Sequence, residues 1–205
     1  MLHYKTIDTK TLELLKKIQN ISFFQDLYLV GGTALALQIG HRRSMDIDLF
    51  GKIKGKREDF LPELLKLGNL KTIEYSQNIH VFSIDDIKVD IVNYSYPWID
   101  VPIKDEGIVL SGLKDIATMK LSAITGRGTK KDFIDIYFLL NYFTLDEMIE
   151  FYNKRYQDGS IFLVMRSLIY FDDAEGDLMP TMFKNVSWEK IKKKIIEEVK
   201  KISKL

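Results

Sequence analysis

The first half of the chain has hydrophobic positions at both helical and strand spacing. Leu12, Leu15 and Ile18 recur at helical spacing, with Thr9 or Thr11 as the expected N-cap. Elsewhere, short apolar runs and alternating apolar and polar positions are typical of strands. The pattern predicts helices at 9–21, 33–39 and 56–67 and strands at 27–30, 46–50, 71–75, 79–84 and 87–94. A mixed sheet packed against helices is therefore expected.

The second half has a different pattern. Pro97 and Pro102 bracket an irregular stretch, and beyond Gly112 the apolar positions follow a helical period. Helices are predicted at 113–125, 131–142, 145–156, 161–170 and 188–202, with a breaker at 126–129 and a turn-rich segment at 172–180. The predicted fold class is α+β, a small mixed β-sheet core with helices followed by an all-helical C-terminal half. The expected domains are 1–112 and 113–205.

Composition and charge narrow the classes of function. Thirty basic and twenty-nine acidic residues give a formal charge of +1, so the chain as a whole has no strong attraction for nucleic acid. The absence of cysteine excludes disulfides, thiolate zinc sites and cysteine nucleophiles. No signal-peptide pattern is present, and no run approaches the roughly 18 apolar residues that would span a bilayer. We expect a cytoplasmic protein with no membrane partner.

Two aspartates on one predicted strand suggest a metal site. Alternate side chains of a strand share a face, so Asp46 and Asp48 would point the same way. Asp90, in the middle of another apolar strand, is the expected third ligand. Oxygen ligands of this kind select Mg²⁺, or Mn²⁺ in its place. The alternative is a solvated edge, or a salt bridge to Arg42 or Arg43.

A glycine pair precedes one of the predicted helices. Gly31 and Gly32 follow an apolar strand and lead into the helix, so backbone N–H groups at its N-terminus can approach a phosphate. Glycines also end many strands merely to turn the chain. Together with the carboxylates, however, the pair indicates a site with a metal half and a phosphate half.

These motifs resemble those of the DNA polymerase β-like nucleotidyltransferase superfamily, in which an apolar residue and Gly-Gly precede an acid-apolar-acid-apolar strand. More narrowly, residues 31–37 and 41–50 are similar to the AbiEii/AbiGii toxin family of nucleotidyltransferases. The resemblance continues at Val89-Asp90, Met119-Lys120-Leu121-Ser122-Ala123, Arg127-Gly128, Lys131-Asp132 and Asp135. One departure is Lys131, where many members have arginine, so the charge is kept but the bidentate fork is lost.

The resemblance implies transfer of a nucleotide from an NTP to an acceptor hydroxyl, often on tRNA or another RNA, by the toxin of a toxin–antitoxin pair. The N-terminal region would be the nucleotidyltransferase core, and the helical region would complete the active-site cleft. A cognate antitoxin protein would be a partner. The residues implied in catalysis are Asp46, Asp48, Asp90, Lys120 and Asp132. Those implied in nucleotide binding are Gly31, Gly32, Thr33, Arg42, Ser44, Lys120, Arg127 and Lys131.

Other interpretations of the same residues stay open. The same cations and carboxylates could serve γ-phosphoryl transfer to a protein, or the fold could be a catalytically silent module that binds a partner. Asp132 and Asp135 lie near a helix start, where capping alone would explain them. The three histidines show no zinc spacing, and His80 is interpreted as structural.

Overall fold

A mixed sheet of seven strands, formed within residues 1–202, organises the first half of the chain. The computed structural model describes residues 1–202. The strands are β1 (Asp26–Leu29), β2 (Ile47–Lys52), β3 (Leu70–Tyr75), β4 (Ile79–Ile84), β5 (Ile87–Asn93), β6 (Ile103–Asp105) and β7 (Ile108–Leu110). Their order across the sheet is β3-β4-β5-β2-β1-β7-β6. The β2–β5 and β1–β7 pairs are parallel and the other pairs are antiparallel.

Three helices pack with this sheet in the first of two compact units, which comprises residues 1–96 and 101–111. They are α1 (Thr9–Gln19), α2 (Gly31–Ile39) and α3 (Arg57–Leu65). The side chain of Asp8, rather than that of Thr9 or Thr11, caps α1 by accepting a hydrogen bond from the Thr11 N–H at 2.9 Å. Asp8, one position before Thr9, is the N-cap because its carboxylate also accepts a hydrogen bond from the Thr11 hydroxyl.

The structure corrects two boundaries near the predicted site. Asp46 directly precedes β2 instead of lying in it, and α2 begins at Gly31 instead of Thr33. The residues between Pro102 and Gly112, to which the sequence pattern assigned no element, form the β6–β7 hairpin, with Glu106 and Gly107 at positive φ. Strands of three residues are too short for alternation to be recognised in the sequence.

The second unit comprises residues 97–100 and, within the described part of the chain, residues 112–202, and it is mainly helical. Its helices are α4 (Leu113–Arg127), α5 (Lys130–Leu139), α6 (Leu145–Arg155), α7 (Ile161–Leu168), α8 (Asp172–Glu175) and α9 (Trp188–Ile202). The predicted breaker at 126–129 begins too early, since α4 continues through Arg127, and the predicted turn-rich segment contains the short helix α8. The predicted α+β class is confirmed. Within residues 1–202, no helix has both the length and the apolar character required to cross a bilayer.

A fully buried ion pair joins two helices of this unit. The Arg155 guanidinium lies 3.0 Å from the Asp115 carboxylate, and neither side chain is exposed. Burial raises the pKa of Asp115, although the backbone N–H groups of Ile99 and Asp100 donate to it and Arg155 lies beside it. Removing the guanidinium would leave a costly buried carboxylate without its cation.

We predict that Arg155→Met lowers the free energy of unfolding by about 3–5 kcal/mol, because it breaks a buried pair from one side. Urea denaturation at pH 7 measures the change. The matched control is Lys54→Met, which removes the partner of Asp26 in an exposed pair of 3.0 Å and should cost less than about 1 kcal/mol. Equal losses in the two variants would contradict the prediction.

Candidate active site

The N-terminus of α2 is shaped by two glycines that lack room for a side chain. Gly31 has φ +67°, and a Cβ on it would overlap the Asp48 carboxylate. A Cβ on Gly32 would overlap the Arg42 guanidinium. The Val30 N–H also donates to the Asp48 carbonyl at 2.8 Å. The carboxylate of Asp48 is therefore held close to the backbone at the positive end of a helix.

Polar side chains from α2 and the following loop hold this turn in place. The Thr33 hydroxyl donates to the Asp46 carbonyl at 2.5 Å and also contacts the Ser44 hydroxyl, with 3.0 Å between the two oxygens. The Ser44 N–H donates to the Thr6 carbonyl at 2.9 Å. Arg42 is almost completely buried and donates to the Arg43 carbonyl. These residues therefore fix the path of the backbone between the glycines and the aspartates.

Parallel pairing of β2 with β5 sets two of the predicted metal ligands side by side. Asp48 and Asp90 are direct partners in the register of this pair, so their side chains share one face of the sheet. Asp46 is exposed and lies just before β2. The structure thus brings Asp48 and Asp90 together through a long-range pairing, with Asp46 adjacent along the chain.

Lys88 compensates the charge of this carboxylate group. It lies two residues before Asp90 on the same face of β5, and its Nζ is 2.7 Å from Asp90 Oδ2. Burial acts to lower the pKa of Lys88, yet the pKa is raised because Asp90 accepts a hydrogen bond from it. The negative charges of Asp90, Asp48 and Asp46 add to this rise. One ammonium therefore interacts with all three predicted ligands.

The donor set is chemically suited to a divalent cation. Asp90 Oδ1 is buried and has no hydrogen-bond partner among the described residues, so it keeps a lone pair available. The neighbouring carboxylates supply the oxygen ligands that Mg²⁺ prefers. Within residues 1–202, no three histidine or acidic side chains are already arranged as a metal-holding group. The Lys88 ammonium provides the positive charge beside these carboxylates. The metal site stays a prediction.

A second cluster of predicted residues lies in the helical unit. Lys120 of α4 is buried, and its Nζ lies 2.8 Å from Asp132 and 2.7 Å from Asp135, both on α5. Asp132 also accepts from the Thr129 N–H at 3.1 Å and from the Thr129 hydroxyl at 2.7 Å. Asp132 therefore both caps α5 and pairs with Lys120, so the capping interpretation explains part of its role.

The charge balance in this cluster favours ionised Asp132. Burial acts to raise the pKa of Asp132, but the positive charge and hydrogen bond of Lys120 and the bonds from Thr129 hold it below its ordinary value. Arg127, at the end of α4, and Lys131, in the first turn of α5, are exposed. The structure therefore joins Lys120 to Asp132 and leaves the two other predicted cations at the surface.

Sequence reasoning missed Lys88 and Thr129 as members of these clusters. Both had an available signal. Lys88 stands two positions from Asp90 on a predicted strand, which places it on the same face. Thr129 stands three positions before Asp132, the spacing of a capping box.

A family model described as "Nucleotidyl transferase AbiEii toxin, Type IV TA system" matches residues 13–203. The chain belongs to the AbiEii family. It is therefore a nucleotidyltransferase enzyme, and the membership predicted from the sequence motifs is confirmed. An uncharacterized protein of Aquifex aeolicus (strain VF5) is 34% identical over 194 residues, which cover 92% of this chain and 93% of the relative.

Solved structures resemble the AbiEii-family fold of the chain at low sequence identity. JHP933 from Helicobacter pylori has a TM-score of 0.59 and 17% identity, covering 97% of this chain and 94% of its own. MenT4, the nucleotidyltransferase toxin Rv2826c from Mycobacterium tuberculosis H37Rv, has a TM-score of 0.58 and 14% identity, covering 93% and 82%. At such identities the likeness concerns the fold.

We predict that Asp132→Asn destabilises the protein at pH 7 by about 1–3 kcal/mol, because it removes a charged hydrogen-bond acceptor. The pKa of Asp132 is lowered in the fold, so its contribution is present above the unfolded value of about 3.9 and is lost as pH falls through the folded value. Thermal unfolding from pH 7 to pH 3 should show the gap to the wild type closing only at the acid end.

The control for this experiment is Asp173→Asn, which neutralises an exposed carboxylate in α8 and should change stability little. A gap between the wild type and Asp132→Asn that stays constant across the pH range would show that the charge of Asp132 does not stabilise the fold.

Proposed function

We propose that the protein is a Mg²⁺-dependent transferase that moves a nucleotide from an NTP to an acceptor hydroxyl on tRNA or another RNA. One observation carries the proposal: Asp48 and Asp90 are paired in register beside the glycine N-terminus of α2. A carboxylate pair next to a helix N-terminus suits in-line transfer, because the carboxylates can hold a metal ion and the helix end favours phosphate oxygens.

Each half of this site has a chemical task. Asp46, Asp48 and Asp90 would hold the divalent cation, which when bound neutralises the triphosphate and favours the ionised acceptor hydroxyl. The backbone N–H groups of Gly31 and Gly32 bind phosphate oxygens at the positive end of α2. The acceptor oxygen attacks the α-phosphorus, the bond to the β-phosphate oxygen breaks, and diphosphate leaves.

The buried side chains around the turn support this reaction by positioning. Thr33, Arg42 and Ser44 keep the glycine backbone and the aspartates at fixed separation through the bonds described above. Asp90 is best placed to accept the proton of the attacking hydroxyl, since its Oδ1 is buried and makes no hydrogen bond to residues 1–202. Its other oxygen, Oδ2, accepts a hydrogen bond from the Lys88 ammonium at 2.7 Å.

The other residues that we propose to act in the reaction lie in the helical unit. Asp132 and Asp135 hold the Lys120 ammonium from two sides, so this cation is preorganised on α4. We propose that Lys120 binds the triphosphate and that Arg127 and Lys131 bind phosphates at the protein surface. A cytoplasmic location and a cognate antitoxin that restrains the enzyme complete the proposal.

We predict Mg²⁺-dependent transfer of label from at least one α-labelled NTP to pooled tRNA, and Asp48→Asn should slow it by about a hundredfold or more. The physical reason is the loss of one carboxylate from the paired group. Asp86→Asn is the matched control, because Asp86 is an exposed turn residue at φ 65°, a conformation that asparagine also adopts.

The position of the label separates the proposed reaction from its main alternative. Transfer from γ-labelled ATP to a protein, with none from α-labelled NTPs, would replace the proposal with phosphoryl transfer. No transfer with any NTP and any of several divalent metals would overturn both reactions.

We predict that Asp90→Asn weakens Mn²⁺ binding about tenfold or more, because it removes one anionic ligand. Lys88→Met should strengthen Mn²⁺ binding by up to about fivefold, since the ammonium competes for the same carboxylates. Electron paramagnetic resonance of free Mn²⁺ measures both affinities without a substrate. An affinity unchanged in Asp90→Asn would remove Asp90 from the metal site, and Asp86→Asn again serves as the control.

A further inference from the structure

The face of the sheet opposite to Asp48 and Asp90 contains a cavity that the proposed reaction does not use. Its volume is about 490 Å³, and it is lined by the start of α3, the end of β3, the start of β4 and residues just beyond β2. Val81, not His80, is the register partner of Asp90, and successive strand residues face opposite ways. His80 therefore faces the cavity side, away from the carboxylates.

Two buried nitrogens at this cavity have no hydrogen-bond partner among residues 1–202. They are Nδ1 of His80, a residue that is 5% exposed, and Nε of Arg57. Burial lowers the pKa of His80, and the positive charge of the nearby Arg57 lowers it further. A guanidinium Nε can only donate a hydrogen bond, so the partner that it lacks is an acceptor. Buried polar groups in proteins are normally satisfied, which points to a ligand.

The surrounding groups define the chemistry of that ligand. The N-terminus of α3, with Lys56 as its N-cap, opens on the cavity, and helix N-termini favour anions. Among the lining residues, Lys56 and Arg57 outnumber the one carboxylate, Glu58, while the nearby Asp59 carboxylate accepts the Lys56 N–H at 2.8 Å. An oxyanion such as phosphate would satisfy the donors and complement the net charge.

An aromatic ring beside the oxyanion position adds a second requirement. Tyr75 is 64% exposed, lines the cavity, and has the Arg57 guanidinium 4.6 Å from its ring centroid. An exposed aromatic ring with an arginine on one face can stack a nucleobase on its other face. The cavity volume lies in the range of small-molecule sites and exceeds what phosphate alone needs.

We propose that this cavity, bounded by Arg57, Tyr75 and His80, binds a nucleoside monophosphate, either free or as the 5′-phosphorylated end of an RNA. The phosphate is held by Arg57 and the start of α3, and the base stacks on Tyr75. His80 is set by its packing on Phe60, with ring centroids 5.2 Å apart, so its nitrogen is preorganised. The site does not depend on the proposed transferase function, since it lies on the other face of the sheet.

Calorimetric titration with AMP, CMP, GMP and UMP in the presence of EDTA tests the site. Arg57→Gln should weaken binding about tenfold or more, because a charge-assisted pair is lost. His80→Phe keeps the ring packing and should weaken binding severalfold while perturbing thermal stability little. The matched control is Lys71→Gln, which removes an exposed charge from β3 outside the cavity.

Each outcome has a definite meaning. Binding that Asp48→Asn weakens and Arg57→Gln does not would assign the nucleotide to the carboxylate face and overturn the proposal. Inorganic phosphate binding as tightly as every monophosphate would overturn the nucleoside part, and absence of binding would overturn all of it. A 5′-phosphorylated oligoribonucleotide that binds tighter than the monophosphates, with the same dependence on Arg57, would identify RNA ends as the source. Label transfer is measured separately, so failure of the transferase proposal is distinguishable.

Discussion

The parallel β2–β5 pairing is the constraint on which the candidate site of the first unit depends, because it holds two carboxylates that repel each other side by side. Asp48 and Asp90 cannot separate without breaking the strand register. The protein offsets their charge with the positive end of α2 on one side and the Lys88 ammonium on the other. The same compensation can be supplied by a divalent cation, which is why the arrangement suits phosphoryl transfer.

The helical unit solves a related problem with the signs reversed. There, buried cations are held by carboxylates: Lys120 by Asp132 and Asp135, and Arg155 by Asp115. Lys120 lies between two anions, with its Nζ 2.8 Å from Asp132 and 2.7 Å from Asp135. Arg155 is completely enclosed, which indicates a structural role for that pair.

The two faces of the sheet are chemically distinct because strand residues alternate. One face of β4 and β5 presents Val81, Lys88 and Asp90, whereas the other presents His80 and Phe82 under α3. On the first face, the Lys88 ammonium offsets part of the negative charge of the carboxylates. On the second face, the aromatic packing leaves His80 and Arg57 with nitrogens that the fold itself does not satisfy within residues 1–202.

The sequence by itself determined the order of most elements, the α+β class and the family. These follow from local periodicity and from the Gly31-Gly32 and Asp46-Asp48 motifs, which involve only residues close together in the chain. It also singled out Asp90 and Lys120 one at a time. Only the tertiary structure decided that Asp48 is the register partner of Asp90. The register of two strands separated by about forty positions depends on packing and turn geometry rather than on either segment alone.

The same reason explains what the sequence left undetermined. Lys88 gains its role only when three carboxylates surround it, and His80 gains an unsatisfied nitrogen only when α3 packs over β4. The short β6–β7 hairpin joins the sheet through the pairing of β7 with β1. A pattern of three residues is too short to predict that contact. The sequence specifies which residues are charged, whereas the fold determines which groups surround each charge.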